Sequence, residues 1–222
     1  MHSPNKLLRF ANMFYSMAAG EELPANSDNL KTILSNLENL ETYTARKKYA
    51  EQNLTRLSSG SSRLTYLTPS KTVVKLVKNK KGEAQNAAEV EASNKINSKY
   101  LNKVLEHAKN YSWIEVPFLD KLTEKEFKKL TDIDFDDFGN ALRYSLKSVS
   151  GNSDKEKPEN YDDISKNEMF KEITKAGKEL DLLPGDLAKI SSYGRKDNYP
   201  VLLDLGLNRT IYNEHYEDNS SS

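Results

Sequence analysis

Apolar residues recur at helical spacing through the first fifty positions and at strand spacing directly after them, so the chain changes architecture near residue 50. Leu7, Phe10, Ala11, Phe14, Met17 and Ala18 trace one helical stripe, with Ser3 or Asn5 as its cap and Gly20 as its stop. Lys6 and Arg9 before an apolar centre resemble a secretion signal, but Asn12, Tyr15 and Ser16 interrupt it, and an amphipathic helix is the expectation. A second stripe from about Asp28 carries Leu30, Ile33, Leu34, Leu37 and Leu40. Stripes this apolar need a partner surface, and the expected one is the helical part of the chain further on. A partner-binding or targeting extension is the alternative.

The period then shortens. "NLTRLSS", "SRLTYLT" and "KTVVKLVK" are alternating or β-branched and separated by Gly/Ser and Thr-Pro-Ser turns, which predicts a small antiparallel sheet. The stretch from Gly82 to Lys109 returns to good helix formers, with Lys78, Lys80 and Lys81 before it read as a solvated turn. "YSWIEVPFL" predicts one more strand, stopped by Pro117 and followed by a short helix on which Thr123 and Glu126 form a capping box. Helices are expected over 136–149 and 168–180, on either side of a polar, charged connection. A buried strand, "PVLLDLGL", comes late, and Ile211, Tyr212 and Tyr216 are expected to pack a last helix onto the core. The fold class is α+β: residues 1–50 a helical extension, 51–118 a β-rich N-lobe with one helix, and 119–222 a mainly helical C-lobe.

Composition narrows the function. In 222 residues, 33 basic and 33 acidic side chains cancel, which removes the electrostatic case for a dedicated nucleic-acid or anionic-membrane binder. The absence of cysteine excludes disulfides, thiolate nucleophiles and Cys-based zinc sites, and three scattered histidines argue against a His metal cluster. No run of apolar residues is long enough for a transmembrane helix. A cytoplasmic protein is expected.

Three features carry candidate chemistry. Gly60 sits in "SSGSS", where Ser59, Ser61 and Ser62 are small enough to let backbone N–H groups approach a phosphate; such turns also simply join strands. Lys75 lies on a strand face with Val73 and Val77, and its amine there either finds an anion or snorkels to water. Asp204 interrupts an apolar strand, so it is salt-bridged, hydrogen-bonded or bound to a cation. Asp186, eighteen residues earlier, falls in a "PGDL" turn. Trp113 and Phe118 flank the strand before Pro117, placed either against an adenine or in a core. His107 and His215 have no visible partner.

Taken in order, these stretches resemble the protein-kinase-like superfamily. "LSSGSSRLTY" is similar to its glycine-rich loop, "VVKLV" to its lysine strand, "QNAAEVEA" to the helix carrying the paired glutamate, and "YSWIEVPF" to the strand entering the hinge. "PGDLAKIS" and "LDLG" are similar to its catalytic loop and metal-binding motif. The resemblance spans about residues 50–216, and "KNKKGEAQNAAEVE" and "SSYGRKDNYPVLLDLGL" are similar to small bacteriophage-encoded members. It implies a two-lobed fold that binds ATP and Mg²⁺. Lys75 would hold phosphates and pair with Glu89, or failing that Glu91; residues 59–62 would cover the phosphates; Asp204 and Ser191 would hold the metal; Asp186 would accept the acceptor's hydroxyl proton.

The sequence also departs from that pattern. Ser58 stands where the first loop glycine would be, Pro184 replaces the catalytic-loop histidine, and Ser191 replaces the usual Asn. Only eighteen residues follow Asp204, which leaves no room within them for an activation segment and peptide-binding helices. The functional expectation is therefore a minimal phosphotransferase acting on an unknown acceptor. The alternative is an inactive pseudokinase, working through a protein partner as a phage structural or host-interaction protein in the host cytoplasm or the virion.

Overall fold

The computed structural model describes residues 27–147 and 156–216. In chain order the elements are α1 (Ser27–Asn39), α2 (Tyr43–Asn53), β1 (Thr55–Ser59), β2 (Arg63–Leu67), β3 (Thr72–Val77), α3 (Lys80–Lys95), β4 (Glu106–His107), β5 (Trp113–Pro117) and β6 (Asp120–Lys121). They continue with α4 (Glu124–Thr131), α5 (Phe135–Ser145), α6 (Tyr161–Ile164), α7 (Glu168–Glu179), α8 (Pro184–Leu187), a 3₁₀ turn at Ile190–Ser192, β7 (Tyr193–Lys196), β8 (Tyr199–Leu202) and α9 (Arg209–Tyr216). The helix expected over 7–18 and the side chain of Tyr216 lie outside the described residues.

Strand alternation divides the first lobe into two faces. Its antiparallel sheet has the order β1-β2-β3-β5-β4, with Thr65 opposite Lys75 and Lys75 opposite Ile114. Successive side chains point to opposite faces. Leu64, Tyr66, Val74 and Leu76 therefore share one face, while Arg63, Thr65 and Lys75 share the other. The apolar face packs with Leu30, Ile33, Leu34 and Leu37 of α1 and Ala50 of α2, all buried. For the second N-terminal stripe this corrects the expectation that it covers the helical lobe; the first stripe lies outside the described residues. That stripe from α1 does need burial, but the surface it covers is the outer face of the sheet, on the far side from α3.

Helix α3 joins β3 to the far side of the sheet. Asn79 caps it by accepting a hydrogen bond from Gly82 N at 3.1 Å, so Lys80 and Lys81 belong to its first turn, in place of the solvated turn expected there. The helix ends at Lys95, fourteen residues before Lys109, where the helix-forming stretch ends. The chain beyond is claimed by tertiary pairing: Asn102 N donates to Leu202 O at 2.9 Å and Leu202 N to Tyr100 O at 2.8 Å. Those bonds tie the first lobe's return segment to β8. The chain itself crosses between lobes at Phe118 and Leu119, from β5 into β6.

The second lobe is helical around a three-stranded sheet, β6-β7-β8. Its core centres on Phe127, Phe138 and Tyr193, which meet edge to face, Phe127 and Phe138 at 5.0 Å and Phe138 and Tyr193 at 6.1 Å between centroids. The capping box of Thr123 and Glu126 is formed. Strand β8 stops at Leu202, so Asp204 lies two residues beyond the strand that was expected to contain it. The fold is thus α+β and two-lobed, a small antiparallel sheet above a helical lobe, as expected from the sequence. Among the described residues no helix is long and apolar enough to cross a membrane.

Candidate functional site

Where the lobes meet, four charged side chains interlock. Lys75, in the middle of β3, reaches across to Glu89 on the buried side of α3, its Nζ 2.7 Å from Oε2 and 3.1 Å from the Leu203 carbonyl oxygen. Glu91, the other carboxylate considered for that pairing, is exposed. Arg63, the first residue of β2, donates through Nη1 to Glu89 Oε1 and, at 3.2 Å, to Asn86 Oδ1; its Nη2 lies 2.7 Å from Asp204 Oδ2. Asp204 Oδ1 accepts from Gly206 N at 2.9 Å. The side chains of Arg63, Lys75 and Glu89 are at most 9% exposed, whereas that of Asp204 is 48% exposed and faces open space.

The two carboxyls end up shifted in opposite directions. Burial pushes the Glu89 carboxyl up, a rise that the cations of Lys75 and Arg63 reduce without cancelling. Burial also acts to raise Asp204, but the Arg63 guanidinium and the Lys75 ammonium outweigh it and hold this carboxyl well below the usual range. Arg63 stays charged throughout, since its two carboxylates more than offset its own burial.

Two glycines allow close approaches around this cluster, one within the first lobe and one between the lobes. A Cβ on Gly82 would stand 2.3 Å from Ser62 O, so only glycine lets the first turn of α3 meet the β1–β2 turn. A Cβ on Gly206 would stand 2.7 Å from Gln85 O and 2.9 Å from Glu89 Oε1, which keeps the chain after Asp204 against α3. Gly60 is different: its φ is outside the left-handed region and the nearest atom to an added Cβ is Arg63 O at 3.8 Å.

The β1–β2 turn forms the roof. Gly60 N donates to Arg63 O at 2.9 Å, and Ser62 Oγ donates to Gln85 Oε1 at 2.5 Å. Lys78 reaches back from the end of β3 and donates to Ser59 Oγ at 2.7 Å and to the Gly60 carbonyl oxygen. Opposite the roof, Asp186 in α8 sits 2.5 Å from Lys189 Nζ, and its carbonyl accepts from Ser192 Oγ at 2.7 Å. Between them lies a cavity of about 310 Å³, lined by Gly60, Ser61, Arg63, Lys75, Asp186 and Asp204 among others.

The fold thus brings Gly60, Ser61, Ser62, Lys75, Asp186 and Asp204 to one cavity, with Glu89 buried behind Lys75. Ser59 is exposed and bound to Lys78 rather than lining the cavity, and Ser191 is exposed and also outside it; the neighbouring Ser192 lines it instead. Trp113 is buried in the cluster beneath α1 and α2 and does not line the cavity. His107 stacks on Tyr111, with ring centroids 5.6 Å apart. The reading from sequence missed Arg63 and Lys78. For Arg63 the signal was present, because alternation from Thr65 places it on the face of Lys75.

A divalent cation does not fit this arrangement of donors. Asp204 is the one carboxylate of the central cluster open to the cavity, and the Arg63 guanidinium already lies on it. Asp186 is paired with Lys189, Ser191 lies elsewhere, and among the described residues no group of three or more metal-binding side chains converges.

A two-lobed α+β chain with a lysine–glutamate pair under a hairpin turn is the class that fold and site define. No protein-family model and no curated protein matches this sequence. Among solved structures it is similar to the streptomycin–ATP–APH(2'')-IIa ternary complex, at 15% identity and a TM-score of 0.35, over 75% of this chain and 71% of that one. The ADP-bound aminoglycoside phosphotransferase APH(2'')-Ib is similar at 16% identity and a TM-score of 0.36, over 74% and 70% of the two chains. The gentamicin–APH(2'')-IIa complex is similar at 16% and 0.35, over 76% and 70%.

Proposed function

We propose that this chain binds a nucleoside triphosphate, ATP in the first instance, in the interlobe cavity and is a phosphotransferase of minimal size. The observation that carries the reading is the buried pair of Lys75 and Glu89, 2.7 Å apart, beside Asp204 and across the cavity from Asp186. Phosphoryl transfer asks a protein chiefly for alignment and charge neutralisation, and this cluster supplies both. Lys75 and Arg63 face the phosphates, the 59–62 turn covers them, and Glu89 fixes the Lys75 amine. Asp186, 38% exposed on its side chain, accepts the proton of an acceptor hydroxyl once it leaves Lys189.

A specific observation favours a second reading, nucleotide binding without transfer: Asp204 is engaged by Arg63 and Asp186 by Lys189, so both carboxylates needed for turnover are occupied. On that reading the chain acts through an interaction partner. ATP is expected to raise the melting temperature of the wild type and not of Lys75→Ala; no shift in the wild type would remove the nucleotide reading. Mass spectrometry for transferred phosphate, with Asp186→Asn as control, separates the two readings. Phosphate incorporated by the wild type and lost in the variant supports transfer.

A further inference from the structure

We infer that the guanidinium of Arg63 takes the place of a divalent cation in this cavity, so that nucleoside triphosphate binds there without metal. The inference rests on the nucleotide reading above. Arg63 lies between the two carboxylates, with Nη1 on Glu89 and Asn86 and Nη2 on Asp204. Every oxygen of those carboxylates has a donor already: Glu89 Oε2 has Lys75, and Asp204 Oδ1 has the Gly206 amide. A metal ion would have to displace a cation that is 9% exposed and held from three sides.

Charge counting leads to the same place. Three cations, Arg63, Lys75 and Lys78, stand against two carboxylates, Glu89 and Asp204, which leaves one positive charge around the cavity. One divalent ion in place of Arg63 and Lys78 together would leave the same charge, so these two cations jointly bring the charge such an ion would bring. A guanidinium carries five N–H donors in a rigid fork that matches phosphate oxygens, and Glu89, Asn86 and Asp204 account for three of them. Arg63 lines the cavity, so its remaining donors meet an entering anion. Lys78, bound to the turn at Ser59 and Gly60, brings its charge to the side where phosphates enter.

Isothermal titration of the full chain with ATP, in EDTA and in magnesium, tests the inference. The wild type is expected to bind with dissociation constants within about twofold of each other in the two media. Arg63→Gln is expected to lose about tenfold or more in EDTA and to regain part of it with magnesium, whereas Arg63→Lys stays metal-independent. Circular dichroism melts confirm that both variants are folded. Wild-type binding that needs magnesium overturns the inference and leaves the nucleotide reading standing. Absence of ATP binding in both media overturns the nucleotide reading, and Mn²⁺ uptake followed by electron paramagnetic resonance, without nucleotide, then decides the role of Arg63. Uptake by Arg63→Gln alone supports it; uptake by the wild type to the same extent overturns it.

Discussion

Glu89 accepts from Arg63 on one oxygen and from Lys75 on the other, so its removal leaves Lys75, 9% exposed, without its carboxylate and Arg63 with Asp204 as its remaining ion pair. Breaking a buried pair from one side costs about 3–5 kcal/mol, and Glu89→Ala is expected to lose that much in urea unfolding, with Glu89→Gln losing less. Tyr66 presents the opposite case: it is fully buried and its hydroxyl has no hydrogen-bond partner among the described residues. Tyr66→Phe is expected to leave stability unchanged or raise it by about 1 kcal/mol, because an unsatisfied buried hydroxyl contributes only its desolvation cost. Burial first, and Glu51 second, push the Tyr66 phenol up to about 12. A raised acid keeps its proton in the folded state after the unfolded chain has lost it, so stability falls as pH rises from about 10 to about 12. Tyr66→Phe removes that slope, which denaturation at a series of alkaline pH values would detect. At this scale Lys75 was legible because an amine on a valine-rich face stands out. Arg63 was overlooked although alternation from Thr65 places it on the face of Lys75, because an arginine at the start of a strand next to a turn looks solvated.

At the scale of elements, two glycines differ in a way the sequence did not reveal. Gly60, at the centre of the small-residue turn, has room for a methyl group, while Gly82, inside a helix, has none. Alanine is better than glycine in a helix by about 1 kcal/mol, yet Gly82→Ala is expected to destabilise by about 1–3 kcal/mol because Ser62 O must move. Gly60→Ala is expected to stay within about 0.5 kcal/mol of the wild type; thermal melts of the two side by side check both. Strands β1, β2, β3 and β5 were readable from alternation and turn residues. The end of α3 was not, since Ile96 to Lys109 keeps helix-forming residues, but Tyr100 and Asn102 bond instead to Leu202 of β8, about a hundred residues away, and Glu106 and His107 pair with β5. Asp204 was misplaced inside a strand for the same kind of reason: hydropathy runs on past Leu202, but pairing stops there.

Across the whole molecule, the sheet is a layer between two different jobs. Its outer face is closed by α1 and α2, and its inner face carries Arg63, Thr65 and Lys75 toward the cavity. Support of the site from behind makes a remote prediction: Leu37, with 0% exposure in α1, is expected on truncation to Ala to cost about 2–5 kcal/mol without touching any cavity residue. Guanidinium unfolding measures it. The α+β class and the order of the motifs were legible throughout, whereas the seat of the N-terminal helices was not, because an amphipathic stripe states that it needs a partner and not which one. Titration of ATP into the wild type and into Lys75→Met tests the central claim, that this cavity is a nucleotide site, most directly. Saturable one-to-one binding by the wild type, weakened at least about tenfold in the variant, is the result predicted. Equal binding by both proteins, or none by the wild type, would contradict it.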